Sequence, residues 1–306
     1  MNETEQKQNQ GQGQDLPASL PKFDLPFYYG AFTNLGIDYL VSPEDAKNLL
    51  KKCAGHDALT VVEFDGQACL SFNYQLYFGQ FSNGGAVIQE IEFNIISYPK
   101  SADHRVPKLT YEQYAKGEDS TRNLGFCRYR VACDSPMAID AGKELFGEPK
   151  FKADFKTTIP VPNGAERCDT WTVTCLKEAQ GSAAEGKTKE PDPHFTFTAD
   201  LGGLQARSVS TAPFTEYGTR LEGASARALA APLNVFQPYQ WYDLRKAQGQ
   251  PDTGKRVTLT PGVAPDQQIK SFLDVIKSKD PVGVWLFQSP PVAVQNRPYY
   301  VPTAKE

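Results

Sequence analysis

Lys150 closes the run GKELFGEPK and stands where a chain can hold an amine in a fixed direction. Pro149 confines Glu148 to extended backbone, and Gly147 is placed to stop the preceding helix. A side chain just after such a turn has a set orientation. Phe146 and Phe151 flank the lysine with apolar bulk. A lysine with little access to water has its pKa lowered, because desolvation penalises the ammonium. A neutral amine can then attack a carbonyl and form a Schiff base. The competing reading is a lysine whose stem packs while its ammonium reaches water.

Paired carboxylates are the second chemical feature. In AVIQEIEFNIISY, Val87, Gln89, Ile91, Phe93 and Ile95 share one strand face, and Glu90, Glu92 and Asn94 share the other. Such a pair could do acid–base work, although a solvated strand face is the commoner outcome and is expected here. His56, His104 and His194 are far apart and are expected on the surface or in loops, so no metal site is expected. GxGxxG, HExxH and GxSxG do not occur.

These residues need elements to position them. DLPFYYGAF reads as an opening strand, and SPEDAKNLLKKCAG as a short helix with Ser42 as N-cap, Pro43 in the first turn and Gly55 as stop. LTVVEF, ACLSFNYQLYF and AVIQEIEFNIISY are rich in β-branched and aromatic residues and read as strands. Residues 99–122 look like a polar excursion before the strand FCRYRVAC. Asp134–Ser135–Pro136 caps the helix MAIDAGKELF, and a strand starts near Lys150. CDTWTVTCL, HFTFTADL, PYQWYDLRKA, RVTLTPG and VGVWLFQ add strands, and APDQQIKSFLDVIKS is a helix with Ile269, Phe272, Leu273 and Ile276 at helical spacing. KEAQGSAAEGKTKEPDP reads as a flexible loop. Many short strands with few helices predict a mainly β (α+β) fold, with a closed or strongly curved antiparallel sheet.

Composition sets the outer bounds. The 306 residues are 40% hydrophobic and 22% charged, with a formal net charge of −4. That balance argues against nucleic acid or an acidic membrane as partner. No apolar stretch approaches the roughly 20 residues of a membrane helix. The Gln-rich lead of residues 1–19 lacks a basic start and an apolar core, so it reads as disordered rather than as a secretory signal. A cytoplasmic protein with its six cysteines reduced is expected, ordered as one domain over residues 20–303.

The run GKELFGEPKF resembles the signature of the acetoacetate decarboxylase-like family. Asp134, Ala138, Ala141, Gly142, Glu144, Gly147, Pro149 and Lys150 fall where that pattern expects them. GQFSNGG at residues 79–85 resembles a second family segment, and the early helix SPEDAKNLLKK also corresponds. The resemblance implies a cone-shaped antiparallel β-barrel with a few short helices around an internal, mostly apolar cavity. It implies a lysine that forms a Schiff base with a keto acid or related carbonyl compound, with no metal or organic cofactor. Decarboxylation, aldol cleavage, aldol condensation and dehydration all draw on that imine.

The sequence departs from the pattern at three places. The family's second lysine is Phe151 here, with Lys152 able to share a strand face with Lys150. The family's acid falls on Asn83, which cannot exchange protons as a carboxylate does, leaving Glu90 or Glu92 for that role. No arginine precedes Arg105, and Lys143 replaces the arginine of the signature run, so Arg122, Arg128, Arg130, Arg207 and Arg220 are the candidates for a substrate carboxylate. The expected catalytic set is Lys150, Asn83 and Glu90, and the expected substrate-facing set is Phe81, Phe146, Phe151 and Lys143. The expected function is a Schiff-base lyase of decarboxylase or aldolase/dehydratase type, in specialised metabolism, with a bulkier and less charged substrate than acetoacetate. The alternative is a non-covalent cyclase, isomerase or small-molecule-binding protein on the same fold. A small-molecule carbonyl compound is the only partner implied, with self-association left open.

Overall fold

A computed structural model describes residues 22–23, 25–81, 84–160, 169–178, 191–209, 214–222, 225–236, 238–245 and 256–289. The lead of residues 1–19, Asn83, Cys168 and most of the loop expected between 177 and 193 lie outside them. The chain opens with β1 (Tyr28–Val41), α1 (Pro43–Leu50), β2 (Leu59–Val61), β3 (Glu63–Phe64), β4 (Gln67–Phe81) and β5 (Gly84–Pro99). Next come α2 (Tyr111–Ala115), β6 (Gly125–Cys133), α3 (Pro136–Ala141), β7 (Lys150–Lys152), β8 (Asp154–Thr158), β9 (Thr170–Leu176) and β10 (Pro193–Asp200). The last third holds β11 (Arg207–Ser208), β12 (Phe214–Glu222), β13 (Ser225–Leu233), β14 (Gln240–Asp243), β15 (Val257–Pro261), α4 (Gln267–Ile276) and β16 (Gly283–Gln288).

The strands form two sheets. A 12-stranded sheet runs in the order β11-β14-β16-β1-β4-β5-β6-β12-β13, with β2, β3 and β7 on side pairings, and a 4-stranded sheet runs β15-β10-β9-β8. The large sheet curls until β12 meets β16, with the Phe214 and Trp285 rings 6.1 Å apart. It does not close: among the described residues its end strands, β11 and β13, do not pair, so the expected closed barrel is an open curled sheet. It is also not wholly antiparallel, because β6 pairs parallel with β12 at one end and with β7 at the other.

Alternation gives the long strands two different faces. Leu35, Phe72 and Phe93 point to the small sheet and α4, where they meet Phe195, Phe197 and Phe272 at ring distances of 5.2–6.2 Å. α4 is docked there because Asp266 caps it, accepting from the Gln268 and Ile269 N–H groups at 2.9 and 3.1 Å. The opposite face of β4 and β5 carries Asn73, Gln75, Glu90, Glu92 and Asn94, all buried within the curl. The solvated-face expectation for Glu90 and Glu92 is therefore wrong. A β-face is exposed only if nothing folds over it, and curvature is a property of the whole sheet.

Other departures are local. The opening strand runs on to Val41. The polar excursion contains α2, with a Thr110–Gln113 capping box and a buried Tyr111. β12 and β13, low in large apolar residues, were not foreseen. His194 is buried in β10 and accepts the Asp266 N–H at 3.0 Å, while His104 is exposed as expected. The five described cysteines are free. No described helix is long and apolar enough to cross a membrane.

Candidate active site

Lys150 is delivered by a tightly wound connection. α3 is capped by the Ser135 hydroxyl, which accepts from the Ala138 N–H, and continues as one π-helical turn over Gly142–Phe146. Gly147 then takes a left-handed conformation, φ +64°, and a Cβ there would lie 2.2 Å from the Thr219 carbonyl oxygen of β12. Only glycine fits both demands. The Lys150 N–H closes a tight turn on the Glu148 carbonyl (2.8 Å) across Pro149, and the Val131 N–H donates to the Pro149 carbonyl (3.3 Å), which locks the strand start to β6.

The lysine points into the curl and is only 8% exposed. Its Nζ lies 2.9 Å from Glu90 Oε1 and 3.1 Å from Glu148 Oε2. The Tyr77 hydroxyl donates to the same Glu90 oxygen at 2.8 Å, and the Cys133 thiol at 3.3 Å. The stem of Lys150 runs against Gly142, where a Cβ would sit 2.6 Å from its Cδ and 2.5 Å from Glu148 Oε2. The signature glycine thus makes room for the ion pair.

A second cation stands behind this pair. Arg128 Nη1 donates to Asn94 Oδ1 (2.8 Å) and lies 2.7 Å from Glu92 Oε2, its Nη2 pairs with Glu216 of β12, and its Nε is 3.6 Å from Glu148 Oε1. Asn73 and Gln75 donate to Glu92 at 3.0 and 2.7 Å. A β-bulge makes this possible. Between Phe93 and Asn94 the register of β5 skips from Arg130 to Arg128, leaving Tyr129 as the extra residue on β6. Strict alternation would send Arg128 and Cys133 to opposite faces. The inserted residue returns both to the interior.

Electrostatics follow from the pairing. Burial alone would lower the Lys150 pKa, but the Glu148 and Glu90 charges together outweigh it and hold the ammonium well above the ordinary lysine range. This reverses the sequence expectation, because desolvation acts unopposed only on an unpaired amine. Glu148 resists its own burial because Lys150 and Arg128 pull its pKa down. Glu92 is pushed up to about 8, first by burial, despite Arg128, and burial also raises Glu216.

A cavity of about 730 Å3 opens onto these groups. Lys150, Glu90, Glu92, Glu148 and Glu216 reach it, together with Phe81 and Phe146. The other expected residues that are described do not. Phe151 points to the opposite side, packing on His194 and under the Arg130 guanidinium at 4.2 Å. Lys143 is exposed on the π-helical turn, and Lys152 pairs with Asp154. Arg122, Arg130, Arg207 and Arg220 do not line it. Glu148 and Glu216 were not singled out as site residues, and Arg128 stood among five arginine candidates with nothing to select it. Glu148 carried one signal, its spacing of two from Lys150, but Arg128 needed the bulge and Glu216 an unforeseen strand.

No family model matches this sequence, and no curated protein is similar to it. Solved structures do resemble it in shape. The enduracididine biosynthesis enzyme MppR complexed with pyruvate superposes with a TM-score of 0.53 at 12% identity, covering 86% of this chain and 85% of that one. The same enzyme with the condensation product of pyruvate and imidazole 4-carboxaldehyde gives 0.52 at 10% identity, with 90% and 93% covered. An acetoacetate decarboxylase-like enzyme from Sphingomonas wittichii RW1 gives 0.50 at 14% identity, with 87% and 89% covered. A mostly β chain with this lysine turn, matched over most of its length by these structures, has the acetoacetate decarboxylase-like fold.

Proposed function

We propose that the protein is a Schiff-base enzyme of aldolase or dehydratase type, with Lys150 as the amine that attacks a carbonyl substrate. The observation that carries this reading is the burial of Lys150 between Glu90 and Glu148 at the wall of a substrate-sized cavity. The high pKa of the lysine is compatible with it. Glu90 takes a proton from the ammonium, the free amine adds to the carbonyl carbon, and the carbinolamine hydroxyl leaves as water with that proton. An ammonium has become a protonated imine, and the charge between the two carboxylates is unchanged. The ion pair that holds the resting lysine therefore also holds the iminium, the electron sink for breaking or forming the adjacent carbon–carbon bond. Glu90 takes the proton-transfer role that Asn83 cannot perform.

Decarboxylation fits less well. An anionic keto acid would enter a wall of four acidic groups, and Arg128, engaged with three of them, does not line the cavity. Borohydride reduction in the presence of a panel of ketones and keto acids, read by mass spectrometry, tests the reading. An adduct at Lys150 is expected. Full turnover with Lys150 never modified would sink it.

One observation favours a second reading, a non-covalent cyclase or isomerase. A lysine held as ammonium can polarise a carbonyl as a hydrogen-bond donor without bonding to it. Lys150→Arg separates the two: a donor role survives in part, and imine formation does not.

A further inference from the structure

The charged groups that reach the cavity among the described residues are Glu90, Glu92, Glu148, Glu216 and Lys150. With Arg128 behind them, two cations face four carboxyl groups, of which Glu92, raised to about 8, holds its proton at neutral pH. Aromatic rings line much of the rest of the wall, beside aliphatic residues such as Leu25, Pro26, Leu233 and Val235. Phe27 stands edge-on to Phe81 and Phe146 at 4.8 and 6.1 Å, and Tyr29 to Tyr77 at 4.9 Å. Ring faces attract cations and repel anions through their quadrupoles, and they do so more strongly out of water. Of the four carboxyl groups, Glu216 is the most open, with 20% of its side chain exposed against 6% for Glu92 and Glu148 and 2% for Glu90. Tyr29 is 42% exposed. Glu216 lines the same cavity as Phe27, Tyr29, Phe81 and Phe146, and burial, then the Glu216 charge, pushes the Tyr29 hydroxyl's pKa up.

We infer that the cavity is built for a carbonyl compound that also carries an organic cation, an ammonium or guanidinium group, seated among the aromatic rings against Glu216. The inference rests on the reading of Lys150 as the anchor of the carbonyl, since that fixes which end of the ligand faces Glu90. The cation supplies charge that the wall lacks. Burial raises Glu92 and Glu216 even with Arg128 in contact, and the charges of the neighbouring carboxylates push the same way. A carboxylate at the same position would meet like charge in a low dielectric and lose the ring contacts as well.

Three methyl ketones with the same linker, ending in trimethylammonium, tert-butyl or carboxylate, test this on the wild-type protein. None of the three head groups can cyclise onto the ketone as a free amine would. Calorimetric titration is expected to show the ammonium ketone binding about tenfold or more tighter than its tert-butyl isostere. The carboxylate ketone is expected to bind weakest. Glu216→Gln should remove most of the preference for ammonium while leaving tert-butyl binding near its wild-type value. If that variant fails to fold, the wild-type order still decides. Equal affinities, or tightest binding of the carboxylate, would overturn the inference. Borohydride trapping is read in parallel. Adducts with all three ketones but no cation preference remove this inference and leave the Schiff base. The reverse pattern removes the Schiff base and leaves the cation site.

Discussion

On β4, Phe72 and Tyr74 face a dry core, while Asn73 and Gln75, one residue away, face Glu92. β5 repeats the division with Phe93 against Asn94, and both faces are buried. The apolar face holds itself by contact area, which is insensitive to pH and tolerant of detail. The polar face holds itself by matching charges and donors, where each group depends on its partners. Two buried faces of one sheet thus fail in different ways when a side chain is removed, and that difference separates the site from the scaffold.

The largest contrast is expected from Lys150→Arg. The positive charge between Glu90 and Glu148 is kept, so the melting temperature should stay within a few degrees. Turnover should fall at least about a thousandfold, because a guanidinium does not form the imine. Retained turnover would move Lys150 to the donor role.

Next come two truncations of similar cost and different character. Phe93→Ala empties a site touching Phe72, Phe195 and Phe272 and should cost about 3–5 kcal/mol in denaturant unfolding at any pH. Arg128→Met leaves Glu92, Glu148 and Glu216 without their shared cation and should cost a comparable ~3–5 kcal/mol at neutral pH. Its loss should shrink on acidification, since carboxylates stripped of a cation bind protons more tightly in the folded state and lose stability as pH rises. Equal pH dependence of the two variants would erase the distinction between the faces.

What could be read from the sequence divides along the same line. The Lys150 turn was legible because its signals are local: a capped helix, a glycine that must be left-handed, and a proline that fixes its predecessor. The Glu90 and Glu92 face was legible as a face, but its burial was not, because curl depends on twelve strands together. Arg128 stood among five candidates, and only the bulge at Tyr129 singles it out. Phe151 misled for an instructive reason. Its place beside Lys150 in sequence put it on the opposite side of β7, with His194. The lowered lysine pKa failed because desolvation was considered without the partners that Glu148 and Glu90 supply.

A smaller effect is expected at Gly142. The Cβ of Gly142→Ala would press on the Lys150 stem and on Glu148 Oε2. Displacing them should cost about 1–3 kcal/mol and reduce the yield of borohydride adduct at Lys150. Gly66, with open space around its Cβ position but φ +81°, offers a control for backbone strain alone, because Gly66→Ala should lower stability without touching the adduct.

The smallest effect lies in the pH profile. Glu92 has a folded pKa of about 8 against an ordinary 4.5, so between those values the native protein holds a proton that the unfolded chain has released. Stability must fall as pH rises through that window, and the raised Glu216 adds with the same sign. Glu148, shifted down, acts only below 4.5, and Lys150, shifted up, only above 10.5. His194 works the other way, since its lowered pKa makes folding more favourable as pH rises, but that gain is complete above its ordinary value of 6.5. The raised carboxyls, Glu92 foremost, with Asp38 and Asp134 raised in the same direction, therefore set the slope in the interval from about pH 6.5 to about pH 8. The wild-type melting temperature should drop across it, and Glu92→Gln, which resembles the protonated form, should drop less. A wild-type melting temperature that holds or climbs over that interval would mean that Arg128 neutralises Glu92 fully, and that the polar face is not short of positive charge.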